Sequence, residues 1–299
     1  VRGRAGQRGS GAVARRAPRH SLAAAVSRGR TAAVAVSRMA SSNNQVLAAA
    51  MAGDAAALRA ALDRGGNVNA SNRARSSALH LASGAGHAAL VSQLLELRAS
   101  VGATNASRET PLHNAANGGG SEAAATEIVE LLLRARAPID AQDKSNGAAL
   151  HVAARAGRAG VAASLLQHRA SIDLLNRDGN APLALAAQAG HLGVVELLVS
   201  KRASVDGAPA SASGSSSSSS SVAAPSSTDT PLHRASLSGH TAIVAFLLSS
   251  QASVNATDSQ QSSALHYAGA SWHSRRSRGS DADGGGTCGR WPTQPFRAT

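Results

Sequence analysis

The sequence predicts an all-α fold in which helix-turn-helix units stack into a solenoid, with short β-hairpin-like turns between the units. A three-residue motif, Ala-Leu-His or Pro-Leu-His in all copies but one, recurs along the chain, and three of its five intervals are 33 residues. A fixed period of this length is typical of repeat architectures. Only 2% of the 299 residues are aromatic, whereas 43% are hydrophobic and mostly Ala, Leu and Val. This composition favours closely packed small-residue helices over a sandwich or barrel built on large rings.

The copies of the motif give the positions of the units. They begin at Ala78, Pro111, Ala149, Pro182, Pro231 and Ala264. The two longer intervals, of 38 and 49 residues, indicate insertions in loops. We assign the five extra residues of the first interval to 117–122, between two helices, and the sixteen extra residues of the second to the Ser-rich run 211–227. Added loop costs little closure entropy, so the stacking pattern tolerates both.

The first helix of each unit has recognisable start and stop signals. Thr110 and Thr230 are suited to the N-cap position, and the Pro111 and Pro231 that follow occupy the first helical position, where a missing N–H costs least. A glycine is expected to end this helix in four units, at Gly86, Gly157, Gly190 and Gly239.

The second helix of each unit is marked by clustered apolar residues, as in 194–198. A short β-type segment is predicted to follow it, for example at 203–206 and 252–255, and to lead into a turn. Each unit is therefore expected to contain two helices and one connecting turn.

The copy that begins at Thr230 carries the most specific pattern. It runs Thr230-Pro231-Leu232-His233-Arg234-Ala235 and continues with Gly239-His240, Ile243-Val244 and Leu247-Leu248. This pattern closely resembles the ankyrin repeat. The resemblance covers six to seven units: a degenerate opening unit at about 45–72, five full units, and the start of another at 259–270. It implies a solenoid that binds other proteins.

The resemblance divides the chain into five segments. Residues 1–38 form a basic segment, either disordered, targeting or mis-annotated. Ankyrin repeats are expected over 39–206 and again over 228–270, where the last unit is cut short. A Ser-rich linker, 207–227, separates them, and 271–299 is expected to be a disordered tail.

One departure from the ankyrin pattern concerns the glycine that usually ends the second helix. Only Gly65 keeps it. The equivalent residues elsewhere are Arg98, Arg136, Arg169, Arg202 and Gln251. A non-glycine residue in the left-handed region costs about 1 kcal/mol or somewhat more, so we expect modest stability for a stack of this length.

The positive charge of the chain is concentrated at its ends. Nine Arg and no acidic residue in 1–38, and five Arg against two Asp in 270–299, leave a formal charge of +1 for the middle out of the total of +13. Nucleic-acid binding would therefore depend on the two ends. The single cysteine, Cys288, excludes an intramolecular disulfide framework and is consistent with a reducing compartment. We expect an intracellular protein, cytoplasmic or nuclear, with organelle targeting by 1–38 as the open alternative.

Histidines recur at one position of the motif, and the resemblance implies a structural role for them in the turn network between units. They are His80, His113, His151, His233 and His266. Neighbouring helices lie about 8 to 10 Å apart, whereas two nitrogens that share a zinc ion lie within about 4 Å. Equivalent histidines therefore cannot share a metal ion, and we expect neither a metal nor a cofactor. Motifs of catalysis and of phosphate binding are missing from the sequence as well.

The resemblance implies that partners bind at the turn tips and at the exposed face of the first helix, so residues that vary between units at these positions are candidates for partner binding. They are Arg75, Arg108, Asn114, Asn117, Lys144, Arg155, Arg177, Gln188 and Arg234. The sequence thus predicts a non-catalytic scaffold or adaptor that binds acidic or polar surfaces of other proteins through a concave groove, without a membrane span. The alternative is the docking portion of a larger enzyme of the kinase or palmitoyltransferase type.

Overall fold

A computed structural model describes residues 41–207, 229–258 and 260–270, which form thirteen helices, numbered α1 to α13 in chain order. Their bounds are 41–52 (α1), Ala55–Asp63 (α2), Ala78–Ala85 (α3), Ala88–Glu96 (α4), Pro111–Asn117 (α5), Glu122–Arg134 (α6), Ala149–Ala156 (α7), Ala159–Gln167 (α8), Pro182–Ala189 (α9), Leu192–Ser200 (α10), Pro231–Ser238 (α11), Thr241–Ser249 (α12) and 264–270 (α13). The predicted all-α solenoid is confirmed. The basic segment 1–38, nearly all of the linker 207–227 and the tail 271–299 lie outside the described residues.

The helices form two layers. One layer contains the first helices of successive units, which pack on one another: α3, α5, α7, α9 and α11. The other layer contains the second helices, which also pack on one another: α4, α6, α8, α10 and α12. A continuous core of leucines, all at most 2% exposed, runs between the layers: Leu79, Leu90, Leu94, Leu112, Leu132, Leu150, Leu165, Leu183 and Leu198. Buried alanines fill the space between them and allow the close helix packing that the composition predicts.

The first helices begin and end at the predicted residues. Thr110 and Thr230 are the N-caps of α5 and α11, and a proline follows each of them. Four first helices end in a glycine with φ between 71° and 87°: Gly86, Gly157, Gly190 and Gly239. One further residue separates each of these glycines from the second helix, so the chain reverses direction in a tight connection.

The insertion of five residues is only partly a loop. The connection 118–121 is two residues longer than its counterparts, but most of the added length extends α6, which has 13 residues where the other second helices have nine. Ser121 caps this extra turn by accepting a hydrogen bond from the backbone N–H of Ala124 at 3.2 Å. The prediction that the insertion is entirely loop is therefore wrong, because Ser121 and Glu122 supply a helix-start signal.

The predicted β-type segments are turns instead of strands. In each segment two residues without regular secondary structure, 203–204 and 252–253, precede a turn. Within the described residues, β-pairing is limited to two isolated bridges, Ser71 with Ser77 and Thr257 with Ser263. The backbone N–H of Ser204 donates to the carboxylate of Asp173 in the preceding unit at 3.0 Å, so a side chain takes the hydrogen bond that a strand would use.

The ends of the second helices adopt the left-handed conformation expected there. The φ angles of the five non-glycine residues lie between 58° and 67°, and that of Gly65 is 89°. These five are Arg98, Arg136, Arg169, Arg202 and Gln251. The conformational cost anticipated from the sequence therefore applies at each of them.

The stack continues across the linker. Helix α11 packs on α9, and the ring Nε2 of His240 donates to the carbonyl of Gln188 at 3.2 Å. The backbone N–H of Ser253 donates to the carboxylate of Asp206 at 2.7 Å, as Ser204 does to Asp173 one unit earlier. Units on either side of the insertion are therefore joined by these contacts as other units are, although Ala184 replaces the motif histidine of α9.

Candidate functional site

Four motif histidines bracket successive units. Nδ1 of each of these histidines accepts a hydrogen bond from the backbone N–H of the residue that caps its helix, and the N to Nδ1 distance is 3.1 to 3.2 Å. Nε2 then carries the proton and donates to a carbonyl in the following turn, at 3.0 to 3.2 Å. The pairs are His80 with Glu109, His113 with Gly147, His151 with Asn180, and His233 with Ser262. His266 makes the Nδ1 contact, with Ser263 at 3.1 Å, and the described residues give its Nε2 no acceptor.

Burial holds two of these histidines, His80 and His151, in the neutral form. Burial lowers the pKa of His151 from its ordinary 6.5 to about 4, outweighing the carbonyl of Asn180, which favours the charged ring. Burial also lowers the pKa of His80. A neutral ring with one accepting and one donating nitrogen matches both of its hydrogen bonds, and neither nitrogen is left for a metal ion.

A second set of histidines follows the glycines that end the first helices. His87 donates from Nε2 to the carbonyl of Met51, and His191 to that of Arg155, at 3.1 and 3.0 Å. Arg158 takes this position after α7, and its guanidinium donates to the carbonyls of Gly118 and Gly120. These contacts fix the exposed ends of the first helices, which form one wall of the surface described next.

Hydrogen-bonded turns form the other wall. The turns 72–76, 105–109, 143–147 and 176–180 are here called the turn row. Each begins with an Asn or Asp whose Oδ1 accepts from backbone N–H groups inside the turn, at 2.7 to 3.0 Å. Backbone bonds link neighbouring turns: Ala106 N–H to Ala74 O, Lys144 N–H to Ser107 O, and Arg177 N–H to Ser145 O, at 2.7 to 3.0 Å.

The turn row and the first helices α5, α7 and α9 enclose a groove, here called the concave groove. Two depressions in it have volumes of about 510 and about 480 Å³. Five predicted partner-binding residues line them: Asn114, Asn117, Arg155, Gln188 and Arg234. The structure therefore brings together residues that lie up to 120 positions apart in the sequence.

The other four predicted residues lie on the turn row. Arg75, Arg108, Lys144 and Arg177 are exposed. Arg75 and Arg108 have φ of 59° and 61°, at the turn position that Gly179 fills in a later unit. This second left-handed position, which Asn146 and Gln261 also occupy, was not predicted from the sequence. The side chains of the four predicted residues Arg75, Arg108, Lys144 and Arg177 lie at the rim of the groove, outside the two depressions.

Most charged groups of the groove already have partners. Glu109 accepts a hydrogen bond from the amide of Asn105 at 2.7 Å, and Asp143 accepts from two backbone N–H groups. Arg234 forms an ion pair with Asp229 at 3.1 Å. Arg155, which lines both depressions, has neither an ion pair nor a side-chain hydrogen bond within the described residues.

Asn180 is a groove residue that the sequence did not reveal. It lines the second depression and is only 5% exposed, yet its Oδ1 has no hydrogen-bond partner in the described chain. Its backbone is held on both sides, because its N–H donates to Asn176 Oδ1 at 2.9 Å and its carbonyl accepts from His151. No motif marks this residue; the depth of the groove creates its environment.

Neither a candidate metal cluster nor a membrane-spanning helix is present in the described part of the chain. No group of three or more His, Cys, Asp or Glu side chains there is arranged to hold a metal ion. None of the helices in the same residues combines the length and the apolar character needed to cross a bilayer.

Stacked helix pairs, histidine brackets and a row of hydrogen-bonded turns define a repeat solenoid. The family model described as ankyrin repeats in three copies matches 46–126 and 121–207, and a single ankyrin repeat matches 228–259. This chain belongs to the ankyrin repeat family.

A solved structure agrees with this assignment. The crystal structure of the human ASB11 ankyrin repeat domain is similar to this chain, with a TM-score of 0.63 and 28% identity. The match covers 75% of this chain and 90% of that one. A comparison with curated proteins gives no match. Ankyrin repeats are in general protein-interaction modules and are typically non-catalytic.

Proposed function

We propose that this protein is a non-catalytic scaffold or adaptor that binds partner proteins through the concave groove. The observation that carries the proposal is the meeting of five variable side chains, from α5, α7, α9 and α11, in two adjacent depressions. Structural contacts bury the motif residues in every copy before the last, whereas Asn117, Arg155 and Gln188 are exposed.

The properties of the groove support a protein partner over other ligands. Its lining mixes amides, carboxylates and guanidinium groups with a few apolar side chains such as Val152 and Leu185. A nucleic acid would require a strong positive excess, and carboxylates of Glu109 and Asp143 lie in the first depression. We also propose an intracellular location, in line with the single cysteine.

A groove-blocking variant tests the proposal. Asn117→Trp and Gln188→Trp place an indole in the first and the second depression, respectively. The full-length chain and the double variant are immobilised, and the proteins retained from an extract of the source cells are quantified by mass spectrometry. We expect a set of specific partners to be retained by the original chain and lost by the double variant.

Glu196→Trp is the matched control, since Glu196 is exposed on the second helix α10 and lies outside the groove. This variant should retain the same partners. Circular dichroism and the thermal midpoint must be the same for all three proteins. Partners that are retained equally by the groove variant would show that binding uses another surface.

A further inference from the structure

We propose that the centre of the concave groove anchors an acidic side chain of an extended peptide segment on Arg155, while Asn180 accepts a backbone N–H from the same segment. This inference rests on the groove-binding function proposed above and specifies the chemistry of the partner.

Arg155 is placed to receive a carboxylate. It lies in the last turn of α7, borders both depressions and is exposed. Its carbonyl accepts from His191 at 3.0 Å, and Gly157 with φ of 73° ends the helix two residues later, so the backbone that carries the side chain is fixed. Arginine binds a carboxylate through two parallel N–H donors, and a fixed backbone lowers the entropy lost on binding.

The neighbouring carboxylates leave the guanidinium of Arg155 uncompensated. Glu109 and Asp143 line the first depression, but both are engaged by donors within the turn row. Asp178 lines the second depression together with Arg155, and it too has a partner. This arrangement repels an extended polyanion such as a nucleic acid, whereas a single acidic side chain can reach Arg155 between the acidic groups.

Asn180 supplies the second contact. A buried acceptor without a donor is unfavourable, and rotation of the Asn180 side chain toward the depression that it lines would bring Oδ1 to a donor of a bound segment. A segment lying in the groove offers a backbone N–H at each residue. Binding would satisfy Oδ1 at the same time as the acidic side chain reaches Arg155, and this combination favours a peptide over a free anion.

A random linear peptide library displayed on phage provides the probe. It is selected against the full-length chain, and the enriched peptides are synthesised for fluorescence anisotropy. We expect Asp or Glu at one constant position of the enriched sequences. Arg155→Gln should raise the Kd at least about tenfold, because a charge-assisted hydrogen bond is lost.

Two further variants separate binding from folding. Asn180→Ala should raise the Kd several-fold without lowering the thermal midpoint, because it removes an acceptor that has no donor in the free protein. Arg98→Gln is the matched control: Arg98 is exposed at the end of α4, and no partner of its side chain is present in the described residues. This control should leave the Kd unchanged.

Hydrogen–deuterium exchange with a bound peptide distinguishes the two proposals. Protection of α5, α7, α9 and the turn row supports the groove as the binding surface. If these elements are protected but the peptides lack a constant acidic residue and Arg155→Gln leaves the Kd unchanged, the carboxylate anchor is overturned alone. Protection elsewhere, or a library without any enriched binder, overturns the groove function together with the anchor.

Discussion

At the residue scale, an unusually large number of non-glycine residues adopt the left-handed backbone conformation. Among the described residues, nine that are not glycine have φ between 56° and 67°. Five end second helices and four lie in the turns, and glycine fills the same positions once each, at Gly65 and Gly179. Each non-glycine residue at these positions costs about 1 kcal/mol relative to glycine, so the free energy of unfolding is lower than it would be with glycine there.

Replacing these residues by glycine should therefore stabilise the fold. We expect Arg98→Gly and Arg169→Gly each to raise the free energy of unfolding by about 0.5 to 1 kcal/mol, which is partly offset by the greater freedom of glycine in the unfolded chain. The urea midpoint is the measurement. Arg59→Gly in the exposed part of α2 is the control and should lower the midpoint, because helical φ favours arginine. An unchanged or lower midpoint for both test variants would contradict the assignment of strain.

The neutral state of His151 makes stability depend on pH. The pKa of His151 falls from 6.5 in the unfolded chain to about 4 in the folded protein. Between these values the unfolded chain binds a proton and the folded protein does not, so acidification favours unfolding. The contribution of His151 is fully present above pH 6.5 and decreases progressively down to about pH 4, by at most about 3 kcal/mol.

Urea unfolding at several pH values between 7 and 4 measures this dependence. His151→Gln keeps a polar side chain but does not titrate in this range, so the slope of the unfolding free energy against pH should decrease. His168→Gln serves as the control, because His168 is exposed at the end of α8. Equal slopes for the original chain and His151→Gln would show that His151 is not held neutral by the fold.

Local chemistry determines which residue roles could be predicted from the sequence. The left-handed position after the second helix was predictable because Gly65 keeps the glycine that the ankyrin pattern places there. The second left-handed position was missed, although Gly179 occupies it in one unit. The role of Asn180 was not predictable, because its unpaired Oδ1 depends on how the turn row and α9 enclose the groove.

At the element scale, the longest second helix is coupled to an arginine in the next unit. Arg158 stands where His87 and His191 stand in other units, and it contacts two carbonyls of the connection 118–121. The backbone N–H of Gly160 also donates to the carboxylate of Glu122, at 2.6 Å. The four-residue connection 118–121 is thus contacted by the long side chain of Arg158, which donates two hydrogen bonds. Where a two-residue connection is contacted, a histidine that donates one hydrogen bond takes this position.

Removing this arginine should loosen the extended helix. We expect Arg158→Ala to lower the free energy of unfolding by about 1 to 3 kcal/mol, because two hydrogen bonds from a charged group are lost. Arg155→Ala is a close control, three residues earlier and without a side-chain partner in the described chain, and should change stability by less than about 0.5 kcal/mol. Thermal and urea unfolding provide the comparison. Equal effects of the two substitutions would show that Arg158 adds no specific support.

Another element-scale pattern concerns the hydrogen bond that joins successive turns. Asn69, Asp140, Asp173 and Asp206 each accept a backbone N–H from the following unit. The exception is Gly102, and the residue opposite it, Pro138, has no N–H to donate. Among the described turns, an acceptor is thus missing only where the donor is missing. The sequence contains this pairing, but it can be interpreted only once the turns are known to face each other.

At the scale of the whole molecule, the stack remains continuous where its sequence period is broken. The period predicted the order of the units, because each unit repeats the same capping and burial pattern. Whether the linker interrupts the stack was not predictable, since a flexible segment of sixteen residues spans about 20 to 24 Å and allows either arrangement. Contacts of His240 and Ser253 with the preceding unit show that it does not.

Deletion of 209–224 tests this continuity, since it restores a 33-residue interval between Pro182 and Pro231. The contacts that join the flanking units use residues outside the deletion, and shortening a loop changes closure entropy by only about 0.6 kcal/mol for each halving. We therefore expect one cooperative urea transition with a midpoint equal to or slightly above that of the full-length chain. As a control, Asp206→Ala removes the acceptor for Ser253 and should lower the stability of the last units in either background. A separate, earlier transition caused by the deletion would show that the units after the linker need its full length to reach α9 and α10.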